Sequence, residues 1–390
     1  MVNLKRIKED FSYSALISGL LAVVISYAGP LVIIFQAGQV SHLPVNVMSS
    51  WVWAVSIGSG LLGIILSFRY KVPIITAWST PGAALLVTSL PSMSLNEAIG
   101  VYICVGICTL IIGISGFFDK VIDIIPKGLA SALLAGILLN FGLGIFKSLQ
   151  SNFYLVIIML VTYLVSKRIN ARYSIAAVLV FGLFSSVIMG MTNFTGFHLS
   201  LVKPILIMPE FRLHSLISLG IPLLLVSLTG QFMPGMAVLR TSNFTVKSSP
   251  IISLSGAISI LFSFLGSHGV NLAAITAAIC TGEESHKDKD KRYIAGISSG
   301  FFYIVFGLFS SAIALLFSAL PHQFIATLAG LALIGAILNG LVGVVTDTSN
   351  REASLITFLT TASGITFLGL GSAFWGLIFG YVAYFILKKK

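Results

Sequence analysis

The sequence predicts an all-α membrane protein with fourteen transmembrane segments arranged as a seven-plus-seven inverted repeat. Hydrophobic residues make up 57% of the 390-residue chain, charged residues make up only 9%, and the mean hydropathy is +1.03. A soluble domain carries about 25% charged residues, so this chain cannot cover itself with a water-facing surface. Most of its exterior must therefore contact lipid.

Apolar runs close to the roughly 20 residues that one span requires follow one another along the whole chain. The first follows a short basic stretch, but it is longer than the apolar region of a signal peptide, about 7–15 residues, and is interpreted as a span. The third and tenth are short and are interrupted by turn-forming residues. The predicted spans are 13–37, 48–68, 73–90, 95–117, 126–146, 152–166, 174–191, 214–239, 249–266, 268–282, 293–318, 321–345, 352–368 and 371–387.

The distribution of basic residues favours this count. With the N-terminus in the cytoplasm, all 23 lysines and arginines except Lys147, Lys203 and Arg212 fall in cytoplasmic segments, in agreement with the positive-inside rule. Omitting either short span would place the loops between the two short spans on the opposite side of the membrane and remove this asymmetry. The net charge of +11 thus indicates topology and not nucleic-acid binding, which a stripe of basic residues with aromatics would indicate. We expect a cytoplasmic (inner) membrane protein with both termini cytoplasmic.

The two halves of the chain resemble one another at a nearly constant spacing. Pro126 precedes an Ala-Gly pair at 135–136, and Pro321 precedes one at 329–330. Because each copy has an odd number of spans, the second must be inverted, and inverted repeats with matched broken segments indicate a secondary transporter. The predicted domains are 1–125 (first repeat, spans 1–4), 126–213 (first repeat, spans 5–7), 214–318 (second repeat, spans 8–11) and 319–390 (second repeat, spans 12–14).

The two broken segments predict the substrate site. In segment 3, Ser79 or Thr80 can cap a helix that has Pro81 in its first turn, and in segment 10 Asn271 can cap a half-helix over 272–280. Two helix N-termini aimed at one point favour an anion. The alternative is that these polar residues only cap helices or bond neighbouring helices. The candidate substrate-binding residues are Tyr27, Ser79, Thr80, Pro81, Gln231 and Asn271.

His268, beside segment 10, is the candidate proton-coupling residue. The acidic residues fall at the ends of spans or in loops, and an unperturbed histidine titrates near pH 6.5. A purely structural histidine is the alternative. Cys104 and Cys108 share a helix face but lack a second pair or a histidine, so no metal site is expected. The sequence shows no nucleotide-binding, nucleophile or cofactor motif, and no polar rings typical of a channel.

Six stretches of the chain carry a further signal, and they are 49–53, 76–86, 231–240, 269–282, 356–364 and 371–377. They resemble the benzoate:proton symporter (BenE-type) family. The resemblance implies proton-coupled uptake of benzoate or a similar small aromatic carboxylate by alternating access. It also implies the fourteen-span fold of uracil, xanthine and sulfate-type carriers, in which spans 1–4 and 8–11 form a core and spans 5–7 and 12–14 form a gate. By this resemblance 1–125 and 214–318 are core domains, 126–213 and 319–390 are gate domains, and the gate is the candidate surface for a homodimer. The nucleobase carriers use acids in spans 8 and 10, where this chain has Gln231 and Asn271, and another small anion or a nucleobase is the alternative substrate.

Overall fold

The computed structural model describes residues 9–194 and 199–387. The terminal basic residues used in the charge argument, Lys5, Arg6, Lys8 and Lys388 to Lys390, lie outside these ranges. Almost all of the described elements are helices. They are α1 (Tyr13–Ala28), α2 (Pro30–Val40), α3 (Val45–Tyr70), β1 (Thr76–Trp78), α4 (Thr80–Ser89), α5 (Leu95–Ser115), α6 (Phe118–Ile124), α7 (Lys127–Ser151), α8 (Phe153–Asn170), α9 (Ser174–Ile188), α10 (Leu213–Thr241), α11 (Ser248–Ser263), β2 (Val270–Leu272), α12 (Ile275–Thr281), α13 (Tyr293–Leu308), α14 (Ser310–Ser318), α15 (His322–Thr346), α16 (Arg351–Ala362), β3 (Thr366–Phe367), β4 (Leu370–Gly371) and α17 (Ser372–Leu387).

Seven helical stretches in the described ranges are long and apolar enough to cross a membrane, or eight if the bent pair α13–α14 is counted as one span. The chain is thus a multi-pass membrane protein. A helix lies over every segment that the sequence predicts. The predicted end of segment 13 is wrong: the sequence predicts a span over 352–368, but α16 ends at Ala362 and the β3–β4 hairpin follows, with Gly364 and Gly369 in left-handed conformations.

Spans 1 and 8 are both irregular near their middles. Span 1 is divided at Gly29, because Pro30 has no amide hydrogen to continue the helical ladder. In α10 the residues 228–232 form a π-helical turn directly before Met233 and Pro234. Such turns often occur at functional sites. Both irregular points face the same cavity, which is described below.

The two broken segments meet in a short antiparallel sheet. β1 pairs with β2 in the register Thr76↔Leu272, Ala77↔Asn271 and Trp78↔Val270. All six residues are buried, and extended backbone inside a membrane needs internal partners. Serines on neighbouring helices supply further partners: Ser67 Oγ accepts from Ile74 N at 3.1 Å, and Ser259 Oγ accepts from Val270 N at 2.9 Å.

Close glycine contacts join two helix pairs. Where α3 crosses α13, a Cβ added to Gly60 would lie 2.6 Å from the carbonyl oxygen of Gly300. Where α5 crosses α11, a Cβ added to Gly256 would lie 2.9 Å from the carbonyl oxygen of Gly106. Only glycine permits such backbone approach, as at small-residue crossings in other membrane proteins.

Candidate functional site

The first half-helix begins where the sequence predicts. Ser79 is the N-cap of α4, its Oγ accepts from Gly82 N at 3.0 Å, and Pro81 lies in the first turn. The extended backbone before it, fixed by the pairing with β2, directs the start of α4 into the protein. Ser79 is fully buried and its hydroxyl is engaged in this cap, so Ser79 positions the helix. The residues of the first turn that line the cavity are Thr80 and Pro81.

The second half-helix begins later than predicted. Asn271 lies in β2 opposite Ala77 and is not a cap; the N-cap position of α12 is Ala274, which makes no side-chain cap. The predicted helix over 272–280 is therefore wrong by three residues at its start, because pairing with β1 keeps Asn271 and Leu272 extended. Asn271 is buried, and its Nδ2 has no hydrogen-bond partner among the described residues. It does not line the cavity at this site.

The starts of both half-helices border one cavity of about 170 Å3. Spans 1 and 8 close it at their irregular points, Gly29 and Gly230. On the opposite side it is closed by α7, α9 and α15, near the midpoints of the 25-residue helices α7 and α15. The predicted location, between segments 3 and 10 and closed by spans 1 and 8, therefore does hold a cavity.

Three side chains with hydroxyl or amide groups line this cavity without a hydrogen bond to any other described residue. They are the hydroxyl groups of Thr80 and Thr276 and the amide of Gln231. Thr276 is 5% exposed and Gln231 is 8% exposed, so both side chains are buried. Buried polar groups are normally hydrogen-bonded. A ligand with acceptor oxygens would satisfy all three donors.

Thr276 was missed by sequence reasoning. With Asn271 as the predicted cap of the second half-helix, the predicted first turn lies N-terminal to Thr276. Ser26 and Trp78 also line the cavity. Ser26 was not predicted as a site residue, whereas the sequence left open whether Trp78 packs inside the protein or stacks on a ligand. Ser26 Oγ accepts from the Tyr303 hydroxyl at 2.7 Å, whereas the indole N–H of Trp78 has no hydrogen-bond partner in the described ranges.

Tyr27 lies behind the cavity and not at its surface. Its hydroxyl forms a hydrogen bond with Ser56 Oγ, and its ring packs edge-on against Trp78 and Phe306. Tyr27 is absent from the cavity lining, so in this conformation it positions Trp78. The predicted direct contact between Tyr27 and substrate has no geometric support here.

His268 is held between two fixed partners. Its Nδ1 accepts from the indole N–H of Trp51 at 3.2 Å, and its Nε2 lies 3.1 Å from the carbonyl oxygen of Ser79. An indole nitrogen only donates and a carbonyl oxygen only accepts. The partners therefore select the neutral ring with its proton on Nε2. A second proton on Nδ1 would face the Trp51 donor, so this arrangement favours the structural alternative over proton coupling.

A larger cavity of about 550 Å3 adjoins the site. It lies at the end of the protein that carries Lys127 and Asp347, and Leu134 lines both cavities. Asp347 Oδ2 accepts from Gly128 N at 3.0 Å and so supplies the cap that Pro126 cannot provide for α7. We call the cavity at the starts of the half-helices the inner cavity and the larger one the outer cavity. Leu134 separates the two.

A multi-pass helical protein with two interrupted segments and a mid-span cavity has the architecture of a secondary transporter. The match to a family model agrees: residues 9–386 match the model described as benzoate membrane transport protein. This chain belongs to that family. It is thus a membrane transport protein and not an enzyme.

The similar proteins cover nearly the whole chain. A benzoate membrane transport protein of Acinetobacter baylyi is 47% identical, over 99% of this chain and 98% of its own length. The inner membrane protein YdcO of Escherichia coli is 42% identical, over 96% and 95%.

Two solved structures are similar at much lower sequence identity and show the fold alone. The transmembrane domain of the cyanobacterium bicarbonate transporter BicA has a TM-score of 0.62 and 15% identity, covering 90% of this chain and 97% of its own. Murine Solute Carrier 26 family member A9, an anion transporter solved in the inward-facing state, has a TM-score of 0.61 and 13% identity, covering 97% and 68%. The fold of this chain is therefore similar to the folds of these two proteins.

Proposed function

We propose that this protein is a secondary active transporter that takes up benzoate or a similar small aromatic carboxylate together with a proton. The proposal rests most on one observation: three unpartnered polar groups, of Thr80, Gln231 and Thr276, converge on a mid-span cavity at the two broken segments. A carboxylate has acceptor oxygens for these donors. The positive end of the dipole of α4 adds favourable electrostatics, and the described lining residues of the cavity carry no charge that would repel an anion.

The inverted repeat and the two domains are part of the proposal. The helices α3 and α13 correspond to spans 2 and 11, and the helices α5 and α11 correspond to spans 4 and 9. Exchanging the two halves of the chain converts one pair into the other, and each pair has a glycine contact at its crossing. Residues 1–125 and 214–318 would form the core, and 126–213 and 319–390 the gate and the surface for a homodimer. Crosslinking of single cysteines on the exposed side of the gate would test the dimer.

Orientation follows from the positive-inside rule. We infer a location in the cytoplasmic membrane with both termini in the cytoplasm. In this orientation the cavity beside Lys127, called the outer cavity above, opens toward the cytoplasm. Cysteines introduced at Ser41 and Lys287, in a variant with Cys104, Cys108 and Cys280 replaced, should be labelled from outside and from inside, respectively. Labelling of both positions from the same side would contradict this topology.

Alternating access is supported by the placement of the two cavities. The inner cavity lies between the core elements and α7, α9 and α15, and among the described residues only Leu134 is common to it and the outer cavity. Relative movement of core and gate would open the inner cavity to one side at a time. The conformation described would be the one that faces the cytoplasm.

The transport experiment must separate carrier activity from diffusion, because protonated benzoic acid is an uncharged weak acid that crosses lipid unaided. Purified protein is reconstituted in liposomes loaded with unlabelled benzoate, and uptake of labelled benzoate is followed at equal pH on both sides. Saturable counterflow above that of protein-free liposomes supports the proposal. Uptake no greater than that of protein-free liposomes would contradict it. Repeating the assay with an imposed pH difference tests proton coupling.

A further inference from the structure

The inner cavity has two chemically different walls. The wall formed by α1, β1, α4, α10 and α12 carries every polar side chain in the described lining, including the unpartnered Thr80, Gln231 and Thr276. The opposite wall is wholly apolar. Its residues, all on α7, α9 and α15, are Leu134, Leu138, Ile175, Ala332, Leu333 and Ala336.

This separation fixes the orientation of an amphipathic ligand. A carboxylate placed against the apolar wall would lose its hydration without gaining a hydrogen bond, which is costly. Placed against the polar wall, it meets donors that have no other partner. The apolar part of the ligand then faces α7, α9 and α15.

Ala332 and Ala336 are the small residues of the apolar wall. They lie one helical turn apart on α15, and both side chains border the cavity. A Cβ added to Gly29 would lie 3.2 Å from Ala332 Cβ, so the walls nearly touch beside Ala332. Larger side chains at 332 or 336 would reduce a cavity of only about 170 Å3.

We propose that the apolar wall holds the aromatic ring of the substrate, and that Ala332 and Ala336 determine which ring substituents are accepted. This inference rests on the proposed function and adds the specificity of the same site. In a hydrophobic pocket one methylene group changes discrimination by about 10- to 200-fold. Single substitutions at these alanines should therefore change selectivity measurably.

The experiment measures competition by 2-, 3- and 4-methylbenzoate against labelled benzoate bound to purified protein. Ala332→Val and Ala336→Val remove space, whereas Ala332→Gly and Ala336→Gly add it. Gly335→Ala is the matched control, because it lies on α15 between the two alanines and an added Cβ there meets no atom within 4 Å. The quantity compared is the ratio of the affinity for each methylbenzoate to the affinity for benzoate.

We expect the valine variants to lower this ratio by about 10-fold or more for at least one isomer, the glycine variants to raise it, and Gly335→Ala to leave it unchanged. A loss of folded protein would lower binding capacity without changing the ratio, and the glycine variants decide the question if the valine variants do not fold. Unchanged ratios in the glycine variants and in every folded valine variant, with benzoate still bound, would overturn the assignment of the ring to α15 and leave the proposed function standing. Absence of saturable benzoate binding by the wild-type protein would overturn both.

Discussion

Ser79 and Thr80 are adjacent residues for which the structure predicts opposite effects. Ser79 is buried and caps α4, whereas the Thr80 hydroxyl faces the cavity and has no partner in the described chain. Thr80→Val keeps the size and shape of the side chain and removes only the hydroxyl. Ser79→Ala removes the cap and leaves the cavity surface unchanged.

The magnitudes follow from the lost interactions. A hydrogen bond to a charged group contributes about 1.5–3 kcal/mol, and every 1.4 kcal/mol changes affinity tenfold. Thr80→Val should thus weaken benzoate binding by about 10- to 100-fold, with little change in thermal stability. Loss of a serine N-cap costs about 1 kcal/mol. Because Gly82 N is buried, Ser79→Ala should lower the midpoint of thermal unfolding clearly.

The assay pairs equilibrium binding of labelled benzoate in detergent with a thermal unfolding curve of each purified variant. Thr80→Ser, which retains a hydroxyl, should keep most of the affinity and serves as the control. Wild-type affinity in Thr80→Val would refute the assignment of this hydroxyl to the substrate. If Ser79→Ala instead left stability unchanged and abolished binding, Ser79 would be a ligand contact and not a cap.

Three further predictions test other parts of the structure. His268→Gln should leave accumulation dependent on the pH difference, because the Trp51 and Ser79 contacts hold the ring neutral; loss of that dependence with binding retained would restore the coupling role predicted from the sequence. Gly256→Ala should cost about 1–3 kcal/mol of stability through overpacking, since its Cβ would overlap the backbone nitrogen of Leu110; an unfolding curve unchanged from wild type would argue against the α5–α11 contact. Leu134→Trp should slow counterflow by more than it weakens binding, since Leu134 borders both cavities, and an equal effect on both would contradict a role in release.

The sequence predicts the helices well because each helix is determined mainly by the residues of its own segment. Apolar length defines a span, and proline or glycine interrupts it, so every predicted segment coincides with a helix. Ser79 and Pro81 form a local signal that predicts the start of α4 correctly. The hairpin at 366–371 was missed, because its residues are as apolar as a span and differ from one only in their turn-forming glycines.

The candidate site was predicted in place but not in all its contacts. Asn271 resembles a cap in the sequence, but its conformation is set by pairing with β1, almost two hundred residues away. Thr276 and the apolar wall of α15 become visible only when distant segments are brought together. The partners of His268, Trp51 and Ser79, are likewise distant in sequence, so its hydrogen bonding could not be predicted from its neighbours.

A cryo-EM structure with saturating benzoate would show whether the inner cavity binds an aromatic carboxylate. Density for one benzoate should appear between the two walls, with its carboxylate within hydrogen-bonding distance of Thr80, Gln231 and Thr276. A map of the protein without benzoate supplies the comparison. Density at any other place, or an unchanged cavity at a concentration that saturates binding, would show that the inner cavity is not the benzoate site.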